Sequence, residues 1–208
     1  MGKHETGYVR VERDFYPTTW TTAALTEVVD VVGKRIWESA CGDGRMSKAL
    51  IASGARVYST DITDHGYTGL NGLFDFTLFD QDPPSFAHAA VITNPPFGPR
   101  GRLAEAFIRA GLHHLGDGFL ALLLPADFDS AKTREPLFGG CLWFAGKIVL
   151  TRRIKWFEHP DKPNRQPKEN SAWFLWGDTG LYEHRLPVIK YAPSDRGRTV
   201  NNEVKIWR

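Results

Sequence analysis

The sequence predicts an α/β protein built on a mostly parallel sheet, and three observations carry that expectation. Short apolar or β-branched runs alternate with segments of helical spacing, the pattern of strands joined by crossover helices. A glycine turn, Ser39-Ala40-Cys41-Gly42-Asp43-Gly44, stands between a strand ending in Glu38 and a helix. A further apolar run, Ala89–Thr93, stops abruptly at Asn94-Pro95-Pro96-Phe97.

The composition sets outer bounds. At 208 residues, with 42% hydrophobic and 24% charged residues, the chain has globular values and length for one domain with a proper core. It is expected to form a single domain over 1–208, with a basic insertion at about 152–170 and a basic C-terminal tail. Cys41 and Cys141 are far apart and form no disulfide framework, which points to a reducing cytoplasm. No basic-plus-apolar leader opens the chain, and no apolar run has membrane-spanning length, so a soluble protein is expected.

The elements follow in order. Thr21–Val32 has helical spacing, with Thr21 or Thr22 placed to cap it. Arg35–Glu38 reads as a strand, Arg45–Ser53 as a helix and Arg56–Asp61 as a second strand. Asp61 then closes that strand where an acid reaches ribose hydroxyls. Ala89–Thr93 is too short for a helix and carries Val, Ile and Thr, so it reads as a buried strand. Gly101–Leu115 is an amphipathic helix, Phe119–Leu124 an apolar strand, Ala131–Phe138 a short helix and Lys147–Thr151 a strand. Ser171–Trp176 is the last strand, pairing antiparallel. His113-His114 reads as a helix-end pair, because no metal-ligand cluster accompanies it; no metal is expected.

The strand end at Asn94 carries the chemistry. Asn94 precedes a proline and is held away from helical geometry, while Pro95 and Pro96 fix φ and lack N–H groups. The product is a stiff shelf offering an amide, bare carbonyls and an aromatic ring. An exocyclic amine is a poor nucleophile, since its lone pair is delocalised. The Asn94 oxygen and the Pro95 carbonyl suit its two hydrogens, and the Phe97 ring suits its planar parent group. The blander reading is a proline-terminated strand leaving the sheet.

A dinucleotide oxidoreductase is the other reading of the glycine turn. Its fingerprint wants a third Gly or Ala where Ser47 stands. Between the second strand and Ala89, Asp75, Asp80 and Asp82 are candidate acceptors, Asp75 preferred. The stretch 152–170 mixes Arg152, Arg153, Lys155, Trp156, Phe157, Lys162, Arg165 and Lys168 with prolines. Basic residues interleaved with aromatics suit phosphate contact and base stacking; the common alternative is a solvated charged loop.

Asn94-Pro95-Pro96-Phe97 resembles the (Asn/Asp/Ser)-Pro-Pro-aromatic motif of amino methyltransferases that use S-adenosylmethionine. Glu38 through Gly44 resembles the first motif of class I methyltransferases. The order of features is similar to small DNA adenine-N6 methyltransferases of bacteriophages and prophages, with Ser39 where that loop often has proline. The resemblance implies a Rossmann-like, mostly parallel seven-stranded sheet with helices on both faces. It implies S-adenosylmethionine contacts from Phe15, Tyr16, Pro17, Thr18, Glu38, Ala40, Cys41, Gly42, Gly44, Asp61, Ile62, Asp75 and Asn94. It implies catalysis at Asn94, Pro95, Pro96 and Phe97 on adenine N6 in DNA, in a bacterial or phage-infected cytoplasm. No separate target-recognition domain is evident, so site choice would rest on 152–170. RNA adenine-N6 or guanine-N2 methylation, protein glutamine-N5 methylation, and a non-catalytic nucleic-acid-binding module are the alternatives.

Overall fold

Among the described residues, strand-forming runs become seven strands: β1 (Arg35–Glu38), β2 (Arg56–Asp61), β3 (Gly72–Leu73), β4 (Ala90–Thr93), β5 (Phe119–Pro125), β6 (Phe144–Val149) and β7 (Ser171–Gly177). Three α-helices accompany them among these residues: α1 (Trp20–Thr26), α2 (Arg45–Ala52) and α3 (Arg102–His114). The structure, a computed structural model, describes residues 20–79, 90–114, 118–151, 153–154 and 169–177. The expectations for the N-terminal motif, the C-terminal tail and most of the basic stretch lie outside those residues.

The strands form one sheet in the order β3-β2-β1-β4-β5-β7-β6. β3, β2, β1, β4 and β5 run parallel, and β7 lies antiparallel between β5 and β6. This is the expected mostly parallel α/β architecture, including the antiparallel last strand. The period of two along each strand divides the core. Ile36, Ile92, Phe119, Ala121, Leu123, Trp173 and Leu175 meet α1 and α2 through Leu25, Met46 and Leu50. Trp37, Val91, Leu120, Leu122, Leu124, Phe174 and Trp176 face the other way, onto Ala104, Phe107 and Ile108 of α3. Both faces are therefore covered, as near-continuous apolar parallel strands require.

Some expected boundaries differ. The first helix ends at Thr26 instead of Val32: a β-branched run follows, and Asp30 Oδ1 accepts the Val32 N–H at 3.0 Å, turning the chain. Thr21 and Thr22 do not cap it. They lie inside α1 with buried hydroxyls. A 3₁₀ segment, Phe128–Ser130, precedes the short helix expected over Ala131–Phe138, which is itself a second 3₁₀ segment, Lys132–Leu137, because Pro136 offers no N–H to an α ladder. β6 begins at Phe144, ahead of the expected Lys147, and its register shifts between Phe144 and Gly146. β3 has two residues and leaves too short a pattern to be read in advance.

His113 and His114 end α3, as expected of a helix-end pair. The His114 ring packs 5.4 Å from that of Phe76 and 5.9 Å from that of Trp37, and burial pushes its pKa below the ordinary 6.5. Three buried indoles each find an acceptor. Trp37 donates to Thr60 Oγ1 at 2.8 Å, Trp173 to the Thr21 carbonyl at 2.9 Å and Trp176 to the Leu137 carbonyl at 2.7 Å. Leu122 is fully buried in β5, whereas Leu142 is fully exposed. Leu122→Ala is expected to cost about 2–5 kcal/mol in urea unfolding. Leu142→Ala should leave the unfolding midpoint where it is.

Candidate active site

The sheet places its candidate site residues at one edge. Strand order reverses between β1 and β4, and connections from these neighbours leave toward opposite faces. Beyond the carboxyl ends lies a cleft of about 140 Å³. Glu38 ends β1, Asp61 ends β2, Asp75 follows β3 and Asn94 follows β4; all four line that cleft.

Each acid is held in place. Asp61 Oδ2 accepts the Gly42 N–H at 2.9 Å and Oδ1 the Thr63 N–H at 3.2 Å, tying the glycine turn to the end of β2. His65 Nε2 stands 3.7 Å from Asp61 Oδ1. Asp75 Oδ1 accepts both the N–H and the hydroxyl of Thr77, at 3.0 and 2.6 Å. The Ser47 hydroxyl donates to Glu38 Oε2 and lies 2.7 Å from the Ser59 hydroxyl. Position 47 is therefore a polar prop for Glu38, which explains a serine where a dinucleotide fingerprint wants glycine or alanine.

The predicted residues separate into groups. Glu38, Ala40, Cys41, Gly42, Asp61, Ile62, Asp75, Asn94 and Pro96 line the cleft. Gly44 does not. With φ at 77°, it lacks a Cβ that would stand 2.3 Å from the Tyr67 ring, so that ring's packing accounts for it. Pro95 is buried, and the half-buried Phe97 packs against the α3-side core. Asn94 Oδ1 is screened from solvent although the residue lines the cleft. Arg153 is exposed and donates to Asn170 Oδ1 at 2.9 Å. Phe15, Tyr16, Pro17, Thr18, Asp80, Asp82, Arg152, Lys155, Trp156, Lys162 and Arg165 lie outside the described residues. Sequence reasoning passed over His65, Phe74, Thr77 and, as site residues, Leu103 and Phe107. Helical spacing marked the last two only as packing residues.

Solved structures share this architecture. ErmE, a 23S rRNA methyltransferase, matches with a TM-score of 0.52 over 81% of this chain and 71% of its own, at 18% identity. A dimethyladenosine transferase from Plasmodium falciparum matches with a TM-score of 0.52 over 78% of this chain and 62% of its own, at 14% identity. This is the class I methyltransferase fold. No family model matches the chain, and no curated protein matches it.

In this methyltransferase fold the first strand delivers its acid into a dry position. Glu38 is 2% exposed, and burial pushes its carboxyl well above the ordinary 4.5, with the Ser47 bond opposing and Asp61 reinforcing. Burial, then Glu38 and Asp61, also push the Cys41 thiol up, so it stays protonated and is no nucleophile at neutral pH. Among the described residues no group of three or more His, Cys, Asp or Glu is arranged to hold a metal ion, and no helix is long and apolar enough to cross a membrane.

The raised Glu38 pKa has a defined sign. A carboxyl that holds its proton more tightly folded than unfolded gives stability below the ordinary pKa, lost as pH rises through the folded value. Glu38→Gln keeps the shape and removes the titration. Its thermal midpoint should rise relative to wild type as pH climbs above the ordinary carboxyl range, because only the wild type then loses the stability that the held proton gives. Parallel pH profiles for the two proteins would place the Glu38 carboxyl in a wetter setting than this one.

Proposed function

We propose that the protein is an S-adenosylmethionine-dependent N-methyltransferase acting on an exocyclic amine, with adenine N6 in DNA as the substrate. The supporting observation is the convergence of Glu38, Asp61, Asp75, Asn94 and Pro96 on one cleft at the strand-order reversal, with Pro95 and Phe97 directly beside them in the chain. The lining fits the cofactor chemically. An ammonium, two ribose hydroxyls and an adenine amine are all donors, and three acids supply acceptors. Ile62, Phe74, Leu103 and Phe107 offer apolar surface for a purine.

When bound, the cofactor supplies a sulfonium methyl that passes to the amine nitrogen, leaving a neutral thioether. The chain's own work is done at the amine. Asn94 and the Pro95 carbonyl accept the two hydrogens and favour a tetrahedral nitrogen whose lone pair is available; one hydrogen then leaves to solvent as a proton. Because Asn94 Oδ1 is screened from solvent here, target entry must uncover that oxygen. Phe97 has two duties, packing against the core and supplying a π-face. Releasing adenine from a duplex costs a few kcal/mol, and stacking returns about 1–3 kcal/mol of it. The basic stretch with Arg152, Arg153, Lys155, Trp156, Lys162 and Arg165 supplies backbone contacts. Adenine in RNA is the second reading, since a 23S rRNA methyltransferase and a dimethyladenosine transferase have this fold.

Methyl transfer from labelled S-adenosylmethionine into DNA, RNA and protein, followed by nucleoside analysis, tests the reading directly. Asn94→Ala should keep cofactor and nucleic-acid affinity yet slow single-turnover transfer by about a hundredfold or more, since its effect appears only as charge develops. Wild-type speed in that variant would reduce the shelf to a strand terminator. Asp61→Ala should weaken cofactor binding by about 1–3 kcal/mol in calorimetry.

A further inference from the structure

The turn between Phe97 and α3 breaks two local rules, each time with an arginine. Arg100 has φ at 57°, the left-handed region, and no other non-glycine among the described residues does so. Gly98 and Gly101 beside it also have positive φ, 65° and 75°, but neither has room for a side chain. A Cβ on Gly98 would stand 2.7 Å from Leu103 Cβ, and one on Gly101 would stand 2.6 Å from Arg134 Nη2. Arg100 is exposed, and the strained backbone costs free energy that glycine would avoid. Arg102, also exposed, opens α3, where the helix dipole disfavours a cation.

The turn is clamped from behind. Arg134 Nη2 donates to the Arg100 carbonyl at 2.7 Å, its Nε to Glu105 Oε1 at 2.7 Å and its Nη1 to the Phe128 carbonyl at 3.1 Å. Its guanidinium also sits 3.8 Å from the Phe128 ring centroid. Pro96 and Leu103, on either side of the turn, both line the cleft, so the two arginines stand at its rim. Neither makes an ion pair among the described residues. Exposed arginines are common on any surface. Two in locally disfavoured positions, on one clamped turn beside the shelf, are not what solvation alone selects.

We propose that Arg100 and Arg102 grip the phosphodiester backbone flanking the target nucleotide and set the depth at which its base reaches Asn94. The inference rests on the nucleic-acid reading above, and the chemistry is common to DNA and RNA. Phosphate contacts of this kind fix register without reading sequence.

The test uses the full chain with short mixed-sequence duplex DNA, single-stranded DNA and RNA, followed by anisotropy across a salt series. Arg100→Gly relieves the left-handed strain and removes the charge. It should raise the thermal midpoint, weaken binding about tenfold and make the slope of log affinity against log salt shallower by about one. Arg102→Gln should also lower the slope by about one, and Arg100→Lys should keep the wild-type slope. Arg56→Gln, at the amino end of β2 away from the cleft, is the control that should change nothing. Comparing the three oligonucleotides shows which source of phosphate is held. Unchanged affinity and slope in both Arg100→Gly and Arg102→Gln would overturn the proposal. The labelled-methyl assay separates the two readings: methyl incorporation with an unchanged slope sinks only the arginine grip.

Discussion

The parallel pairing of β1 on both its edges is the constraint on which the rest of the structure depends. Trp37 sits opposite Tyr58 on one side and Val91 on the other, so the ends of β1, β2 and β4 are brought to one edge in fixed register. Parallel neighbours need crossovers, and crossovers are right-handed, so the elements following β1 and β4 depart to opposite faces. A seam remains that neither covers. A one-residue slip of β4 would exchange Val91 and Ile92 between the two cores, both of which are full, so the register is strongly defined.

That seam is energetically poor, and the scaffold offsets it elsewhere. Glu38 ends β1 in a position where its charged form is disfavoured, with Asp61 nearby adding repulsion. A lone buried carboxyl would be hard to keep. Here the Ser47 hydroxyl satisfies one oxygen, and the Ser59 hydroxyl stands behind it. Compensation comes from the other half of the sheet, where β5 and β7 are apolar on both faces and carry two tryptophans that also anchor α1 and the second 3₁₀ segment. Large buried rings with satisfied N–H groups yield much burial without an orphaned donor.

How far the sequence reveals this depends on the range of the determining contacts. β1, β2, β4, β5 and β7 lie close to where alternation, β-branching and proline punctuation put them, because those signals are local and strong. Glu38, Asp61, Asp75 and Asn94 were legible as strand-end polar residues, and the fold brings them together. The failures are equally physical. Helical spacing continued past Thr26 on paper, but an Asx turn at Asp30 competes with the ladder. Gly44 and Gly42 looked alike, yet only Gly42 meets the cleft, while Gly44 yields space to Tyr67, a contact no local pattern announces. His65, Thr77 and Phe74 reach the site through loops after β2 and β3, whose paths are set by tertiary packing.

The polar groups of the cleft are fixed mostly by their own neighbours. Asp61 is held by the amides of Gly42 and Thr63, Asp75 by Thr77 and Glu38 by Ser47, and beside the cleft the Arg100 carbonyl is held by Arg134. Groups held in this way need little rearrangement when a ligand arrives, so less binding energy is lost to ordering them. Asn94 is different. Its backbone is stiffened by Pro95 and Pro96, but its amide oxygen is screened from solvent. On the proposed reading, the side chain that would act on the nucleophile is the one whose oxygen is still covered, while the groups that would hold the cofactor are already set. A site arranged in this order would bind its cofactor readily and leave the final adjustment to entry of the target base.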